Sequence, residues 1–193
     1  MTNLISGFDM VCEEDYNPKC DTFLEMLYTA KLKYGDRFKV IMHAGESYLR
    51  TNTELYDAIL LGTKRIGHGF NLIMHPNLIQ IVKDEKICLE CCPISNKVLG
   101  YVTDLRLHPV RSLLAQGVPV SISSDDPGFW CAGGVTLDYV TAYIEWGLSL
   151  EDLKQLALNS IEYSTIEESQ KAKLKQFFDW RWRRFLSYVR GRY

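Results

Sequence analysis

Five short apolar runs recur along this chain with helix-patterned stretches between them, and that alternation restricts the fold more than any other feature. The runs are "NLISGFDMV", "FKVIMHAGE", "KRIGHGF", "KICLECCPI" and "VPVSISSDDPG". Each is rich in apolar, β-branched or cysteine residues and bounded by polar or turn-forming ones, as a buried strand requires. Between them the spacing predicts helices over residues 20–34, with Phe23, Leu24, Leu27 and Leu32 at apolar positions, and over 54–61. Two more are predicted over 76–84, with Pro76 in its first turn, and over 109–116, closed by Gly117. Strands separated by helices of this length mean βα units and a parallel sheet. No sequence repeat recurs at a fixed spacing.

After the fifth run the pattern is helical to the end: residues 136–146, then 149–160 with Ser149 as cap and Asp152 at the third helical position, then 167 to about 189. The last helix sets Leu174, Phe178, Trp182, Phe185 and Val189 on one stripe, with Arg183, Arg184, Arg190 and Arg192 largely off it. This reads as a packing helix with a solvated cationic face rather than an RNA-binding tail. A length of 193 residues, 47% of them hydrophobic, suits one globular domain or a large part of one. The formal net charge of -2 offers nucleic acid and acidic membrane no footprint. No apolar run is as long as a membrane span, and Met1, Thr2 and Asn3 lack the basic start and apolar core of a secretory signal. Cys88, Cys91 and Cys92 fall inside an apolar run, which argues against a disulfide framework. Residues three apart on a strand face opposite sides, so Cys88 and Cys91 are not expected to share a metal.

In a parallel α/β sheet or barrel, chemistry gathers beyond the carboxyl ends of the strands. The runs end in polar groups: Asp9; His43 with Glu46; His68; Ser95 and Asn96; Asp125 with Asp126. A lone strand-end histidine is commonly structural, and an aspartate before Pro-Gly commonly starts a turn. Two histidines, a glutamate and an aspartate pair at equivalent ends of successive strands exceed what turn chemistry needs. His75 and His108 each precede a proline and read as helix-entry residues outside the site. The adjacent carboxylates need a cation or a proton nearby to offset their repulsion. Imidazole with carboxylate suits Zn²⁺ in a catalytic site. Asp125 is expected to bind the ion and Asp126 to hydrogen-bond substrate. His68 is expected to orient or deprotonate water, and Glu46 to shuttle a proton.

"HAGE", "RIGHG", "CPISN" and "SSDDP", in this order and at these gaps, resemble the second half of an adenosine deaminase. "GFDMVCEED", "RIGHGF", "CPISNKVL", "DLRLHPV", "ISSDDPGFW" and "LKQLALNSIEYST" are similar in particular to the secreted adenosine deaminase-related growth factor branch, over almost the whole chain. The resemblance implies a zinc-dependent (β/α)8 TIM barrel that hydrolyses adenosine or 2′-deoxyadenosine to inosine or 2′-deoxyinosine and ammonia. It implies that His43 and Asp125 ligate zinc, that Glu46 protonates purine N1, that His68 positions the attacking hydroxide, and that Asp126 hydrogen-bonds N7. It also implies an extracellular location, a homodimer formed through an upstream segment, and a receptor as a further partner.

Two departures from the family pattern qualify this. The family's H-x-H pair, which supplies two more zinc ligands, does not occur here. Five strands also cannot close an eight-stranded barrel. The expectation is therefore a partial barrel, strands four to eight plus extra C-terminal helices, with residues 1–193 as the C-terminal part of a single domain. Alone, it is expected to bind zinc weakly and not to deaminate adenosine. In addition, Cys12 stands where the family has the glycine of "D-L-x-G", whose N–H approaches purine N3, which makes Cys12 a candidate substrate contact. Other readings are a purine deaminase acting on adenine, AMP or an N6-substituted nucleotide, and a non-catalytic growth-factor-like signalling or binding protein. The cytidine-deaminase pattern is disfavoured, since there is no H-x-E and no proline before Cys88.

Overall fold

A computed structural model describes residues 5–131 and 133–191. Its centre is a four-stranded parallel sheet in sequence order: β1 (Met42–Ala44), β2 (Arg65–His68), β3 (Cys88–Cys91) and β4 (Val120–Ile122). In this register His43 lies beside Gly67, Ala44 beside His68, Gly67 beside Glu90 and Cys91 beside Ile122, so the carboxyl ends share one rim. The expected first strand shrinks to a single bridge. Phe8 pairs parallel with Val40, its N–H donating to Lys39 O and its carbonyl accepting from Ile41 N, each at 2.8 Å. Gly7, Ser6 and Ile5 make no further ladder bonds, and Asn3 and Leu4 of that run lie outside the described residues.

Helices follow the strands as the pattern requires: α1 (Leu24–Tyr34), α2 (Glu54–Leu60), α3 (Pro76–Asp84), α4 (Pro93–Val98) and α5 (Pro109–Ala115), then α6 (Thr136–Glu145), α7 (Leu150–Glu162) and α8 (Glu168–Arg190). Residues 20–23 take a tighter 3-10 turn ahead of α1, and Leu32 is exposed, so Leu27 alone of the named positions in α1 is fully buried. The short helix α4 corrects the reading of "CPISN" as a strand end: Pro93 occupies its first turn and cannot continue a ladder. Ser149 caps α7 as expected, with Asp152 bonding back to its N–H at 2.8 Å in a capping box. The half-buried face of α8 runs through Lys171, Lys175, Phe178, Trp182, Leu186 and Val189, whereas Leu174 and Phe185 stand 43% and 42% exposed. The predicted stripe was thus rotated by part of a turn; Arg192 lies outside the described residues.

The core joins both faces of the strands to the helices: Met42, Ala44, Ile66, Leu89, Val120 and Ile122 pack against Leu55, Val82, Leu113 and Leu156. All six cysteines are free thiols, with Cys88, Cys91 and Cys92 buried. At β4, the carbonyl of Pro119 and the N–H of Ser123 face β3, so the intervening Val120 carbonyl faces the outer edge. There it accepts a 2.7 Å hydrogen bond from the side-chain amide of Asn159 in α7.

Candidate active site

At the shared rim the chain assembles one connected polar network. His43, in β1, is held twice by Asp9. One carboxylate oxygen accepts its backbone N–H at 3.0 Å, and the other meets ring Nδ1 at 2.9 Å. This leaves Nε2 free, which is the arrangement that orients a metal-binding imidazole. The ring lies against Gly67 of the neighbouring strand. A Cβ there would come within 2.8 Å of His43 Cγ, so only glycine admits the imidazole. Burial presses His43 toward its neutral form, but the hydrogen bond to Asp9 and its charge outweigh that and hold the pKa above its usual value.

His68 closes β2 with a left-handed backbone, φ 59°, and Asp125 does the same after β4, φ 55°. Non-glycine residues in this region cost on the order of 1–3 kcal/mol and cluster where function fixes them. The His43 and His68 rings lie 5.1 Å apart between centroids. On its other side, His68 Nε2 stands 3.8 Å from Asp125 Oδ2, and Ser95 Oγ donates to that same oxygen at 2.6 Å. His68 Nδ1 is 3.1 Å from Glu46 Oε1. Burial, with the charge of His43, drives the His68 pKa down to about 4. Burial, with the charges of Asp125 and Glu14, drives Glu46 up to about 8. The contact between them is therefore a neutral pair, protonated acid beside unprotonated base, rather than a salt bridge.

Glu46 is placed by residues that sequence patterns had left aside. The N–H groups of Gly45 and Glu46 both donate to the buried Glu14 carboxylate at 2.8 Å, and Asn52 Nδ2 donates to it at 2.9 Å. Asn96, on α4, points its Nδ2 at Glu46 Oε1 and His68 Nδ1, at 3.2 and 3.3 Å. His108 decides which way that amide faces. Its Nδ1 accepts the Val110 N–H at 3.2 Å, so Nε2 carries the proton and donates to Asn96 Oδ1 at 3.1 Å. His108 is thus the helix-entry residue expected, and also a buried support of the site. Glu14 and His108 gave no separate signal, since an acid in "CEED" and a histidine before proline look like surface and turn residues.

The structure thus gathers His43, Glu46, His68 and Asp125 in one place. Asp126, next in the chain, is exposed on the loop. Cys12 is exposed and lines a small cleft of about 50 Å³ together with Glu14, Met42 and His43, which puts it at the same rim. Imidazole nitrogen and carboxylate oxygen are donors whose chemistry suits a zinc ion, and here Asp9 fixes the His43 ring from behind while Ser95 fixes the Asp125 carboxylate.

The profile of the adenosine deaminase family matches residues 2–179. The chain belongs to the adenosine deaminase family. Adenosine deaminase 2 of Dictyostelium discoideum is 43% identical over 192 residues, covering 97% of this chain and 35% of that protein. The chain therefore spans about a third of the length of the curated relatives it matches. Among solved structures, adenine deaminase from Arthrobacter aurescens superimposes with a TM-score of 0.80 at 28% identity, over 91% of this chain and 52% of that one. An amidohydrolase from Burkhoderia ambifaria, solved with bound Zn, superimposes with a TM-score of 0.79 at 18% identity, over 96% of this chain and 50% of that one, which speaks for the fold alone.

Proposed function

We propose that this chain carries the Glu46, His68 and Asp125 side of a zinc-dependent deaminase site, one that converts adenosine or 2′-deoxyadenosine and water to inosine or 2′-deoxyinosine and ammonia. The observation that carries the reading is the Glu46 carboxyl: it touches His68 and Asn96 at the rim, is partly buried, and is raised to about 8. A carboxyl that holds its proton at neutral pH can donate it to a ring nitrogen of a purine, N1 in this reading, and so make C6 open to attack. His68, kept neutral, accepts a proton from the attacking water and positions it. Asp126 hydrogen-bonds N7, and Cys12 borders the purine. His43 and Asp125 hold the zinc ion, which supplies Lewis acidity when bound.

The chain is further read as strands four to eight of a (β/α)8 barrel, with the remaining strands and zinc ligands supplied by polypeptide beyond these residues. What supports this is the open four-stranded order with its Phe8 bridge, and a match covering half of the solved relatives and a third of the curated ones. Extracellular location and a homodimer belong to the same reading, through the resemblance to the growth-factor branch. Adenine is the second substrate to assay, because the adenine deaminase of Arthrobacter aurescens is 28% identical and shares the fold. The 43% identical relative named adenosine deaminase 2 puts adenosine first.

The test is Glu46→Gln in the complete barrel, with inosine formation followed in excess zinc. Loss of a general acid should lower kcat by about 10²–10⁴-fold while zinc content is unchanged. Near-normal turnover would overturn the assignment.

A further inference from the structure

One buried side chain at the rim has no part in the proposed chemistry. Cys92 follows β3 directly and caps the start of α4; it is 4% exposed, and its Sγ makes one weak contact, to the Glu90 carbonyl at 3.7 Å. Its sulfur, a ring nitrogen of His68 and a carboxylate oxygen of Asp125 all lie within 4.8 Å of one another. We propose that His68, Cys92 and Asp125 form a thiolate-containing site for a soft divalent ion, which shares Asp125 with the His43 position and removes His68 from service as a base.

Three features besides proximity point this way. His68 Nδ1 is engaged by Glu46 and Asn96, so Nε2 is the nitrogen turned toward Asp125, 3.8 Å away. In the metal-free chain Nδ1 accepts from the Glu46 carboxyl and the Asn96 amide, so Nε2 carries the ring proton; ligation moves that proton to Nδ1, where Glu46, ionised, then accepts it. Asp125 is itself fixed, because Ser95 Oγ donates to its Oδ2 and leaves further lone pairs on the carboxylate. Finally, metal–ligand distances of about 2.0–2.3 Å place donors of a tetrahedral site roughly 3–4 Å apart, so movements of about 1 Å close this one around an ion. Sulfur tilts the selectivity toward soft ions over the nitrogen and oxygen pair at His43.

Binding breaks the Cys92 S–H bond and forms a sulfur–metal bond; it also moves the His68 ring proton from Nε2 to Nδ1, which sends the Glu46 proton off, so two protons in all pass to water. Thiolate and carboxylate together then neutralise the two charges of the ion, with a fourth position left open. The ligation itself stands apart from the deaminase reading; only its effect on His68 as a base rests on that reading.

The test uses the 193-residue chain stripped of metal, with Cd²⁺ alone as the probe. One equivalent should produce a thiolate-to-cadmium charge-transfer band in the ultraviolet, and a ¹¹³Cd resonance shifted as for a single sulfur ligand. The band should vanish in Cys92→Ser and in His68→Gln. It should persist in His43→Gln, and also in Cys20→Ser, which controls for the separate grouping of Cys20, Glu54 and Asp57. No band in the unaltered chain, a band surviving Cys92→Ser, or a ¹¹³Cd shift of nitrogen and oxygen ligands only would each overturn the site. The ¹¹³Cd measurement needs no variant, so it decides even if Cys92→Ser fails to fold. Deaminase turnover enters nowhere, so this site and the deaminase reading fail separately.

Discussion

The two rims of the sheet differ in kind. At the amino ends of the strands lies the larger hollow, about 760 Å³, lined by Lys31, Lys39, Lys64, Glu85 and Glu162 among others. Its charges are paired and exposed: Lys64 meets Glu85 at 2.9 Å with both side chains 60% exposed, Lys175 meets Glu162, and Lys39 Nζ donates to the Thr165 carbonyl at 2.7 Å. The carboxyl rim has a cleft of only about 50 Å³ among its residues, yet there acids and imidazoles are buried against one another and displaced from their ordinary titration. Volume and strained electrostatics therefore single out opposite rims, and the proposed site follows the electrostatics. Paired charges on a wet surface have nothing left to offer a substrate, whereas a buried acid and base held apart in protonation have a reaction's worth of chemistry in reserve.

The sharpest way to break this contrast is to compare turnover across the rims. In the complete barrel, His68→Gln should lower kcat by about 10²–10⁴-fold, as for Glu46→Gln, while Lys64→Ala changes it by less than about 2-fold. Comparable losses at both rims would erase the distinction. Stability comes next. His108→Ala strands Asn96 Oδ1 and the Val110 N–H in a buried place, and each unsatisfied group costs about 1–3 kcal/mol, read by urea unfolding. Removing Glu85 from the opposite rim, where its pair with Lys64 is open to solvent, should leave the urea midpoint almost unmoved, and more so at high salt.

The pH dependence of the metal-free chain gives a subtler measure. Glu46 titrates at about 8 folded and 4.5 unfolded, so between those values the folded state holds a proton that the unfolded state has lost, and stability falls as pH rises. His68 runs the other way, with a folded pKa near 4 against 6.5, and adds stability between those values. The two oppose each other up to pH 6.5. From 6.5 to 8 Glu46 dominates, assisted by the raised His43, and stability should drop. Glu46→Gln should flatten that drop in unfolding curves at pH 6.5 and 8, and an unchanged slope would show the acid is not held protonated. A modest effect is expected at the β4 edge, where Asn159→Ala removes one hydrogen bond from Val120 and should cost about 0.5–1.5 kcal/mol.

The strand-end rule located the rim, because His43, Glu46, His68 and Asp125 each follow an apolar run and a parallel sheet sends all such ends one way. Helix positions were legible wherever a proline or a cap marked them, as at Pro76, Pro109 and Ser149. Three things were not. Phe8 pairs through one residue, and a strand that short carries no periodicity. The α8 face was displaced because apolar residues occupy more than half its circumference, leaving Phe177, Trp180 and Tyr188 exposed, and hydropathy cannot choose between two apolar arcs. Glu14, Asn96 and His108 act through amide and imidazole orientation, which depends on contacts 12 to 50 residues apart in sequence. Only the folded geometry brings such partners into view.

The amide of Asn159, seated on the Val120 carbonyl, has a bearing on how the molecule keeps its own company. A bare strand border invites any passing β-segment to dock, and here one acceptor on that border, the Val120 carbonyl, already has a donor from within the same chain. A strand arriving at β4 must first evict this side chain, a small toll that a well-matched neighbour with many ladder bonds overcomes and a casual one does not.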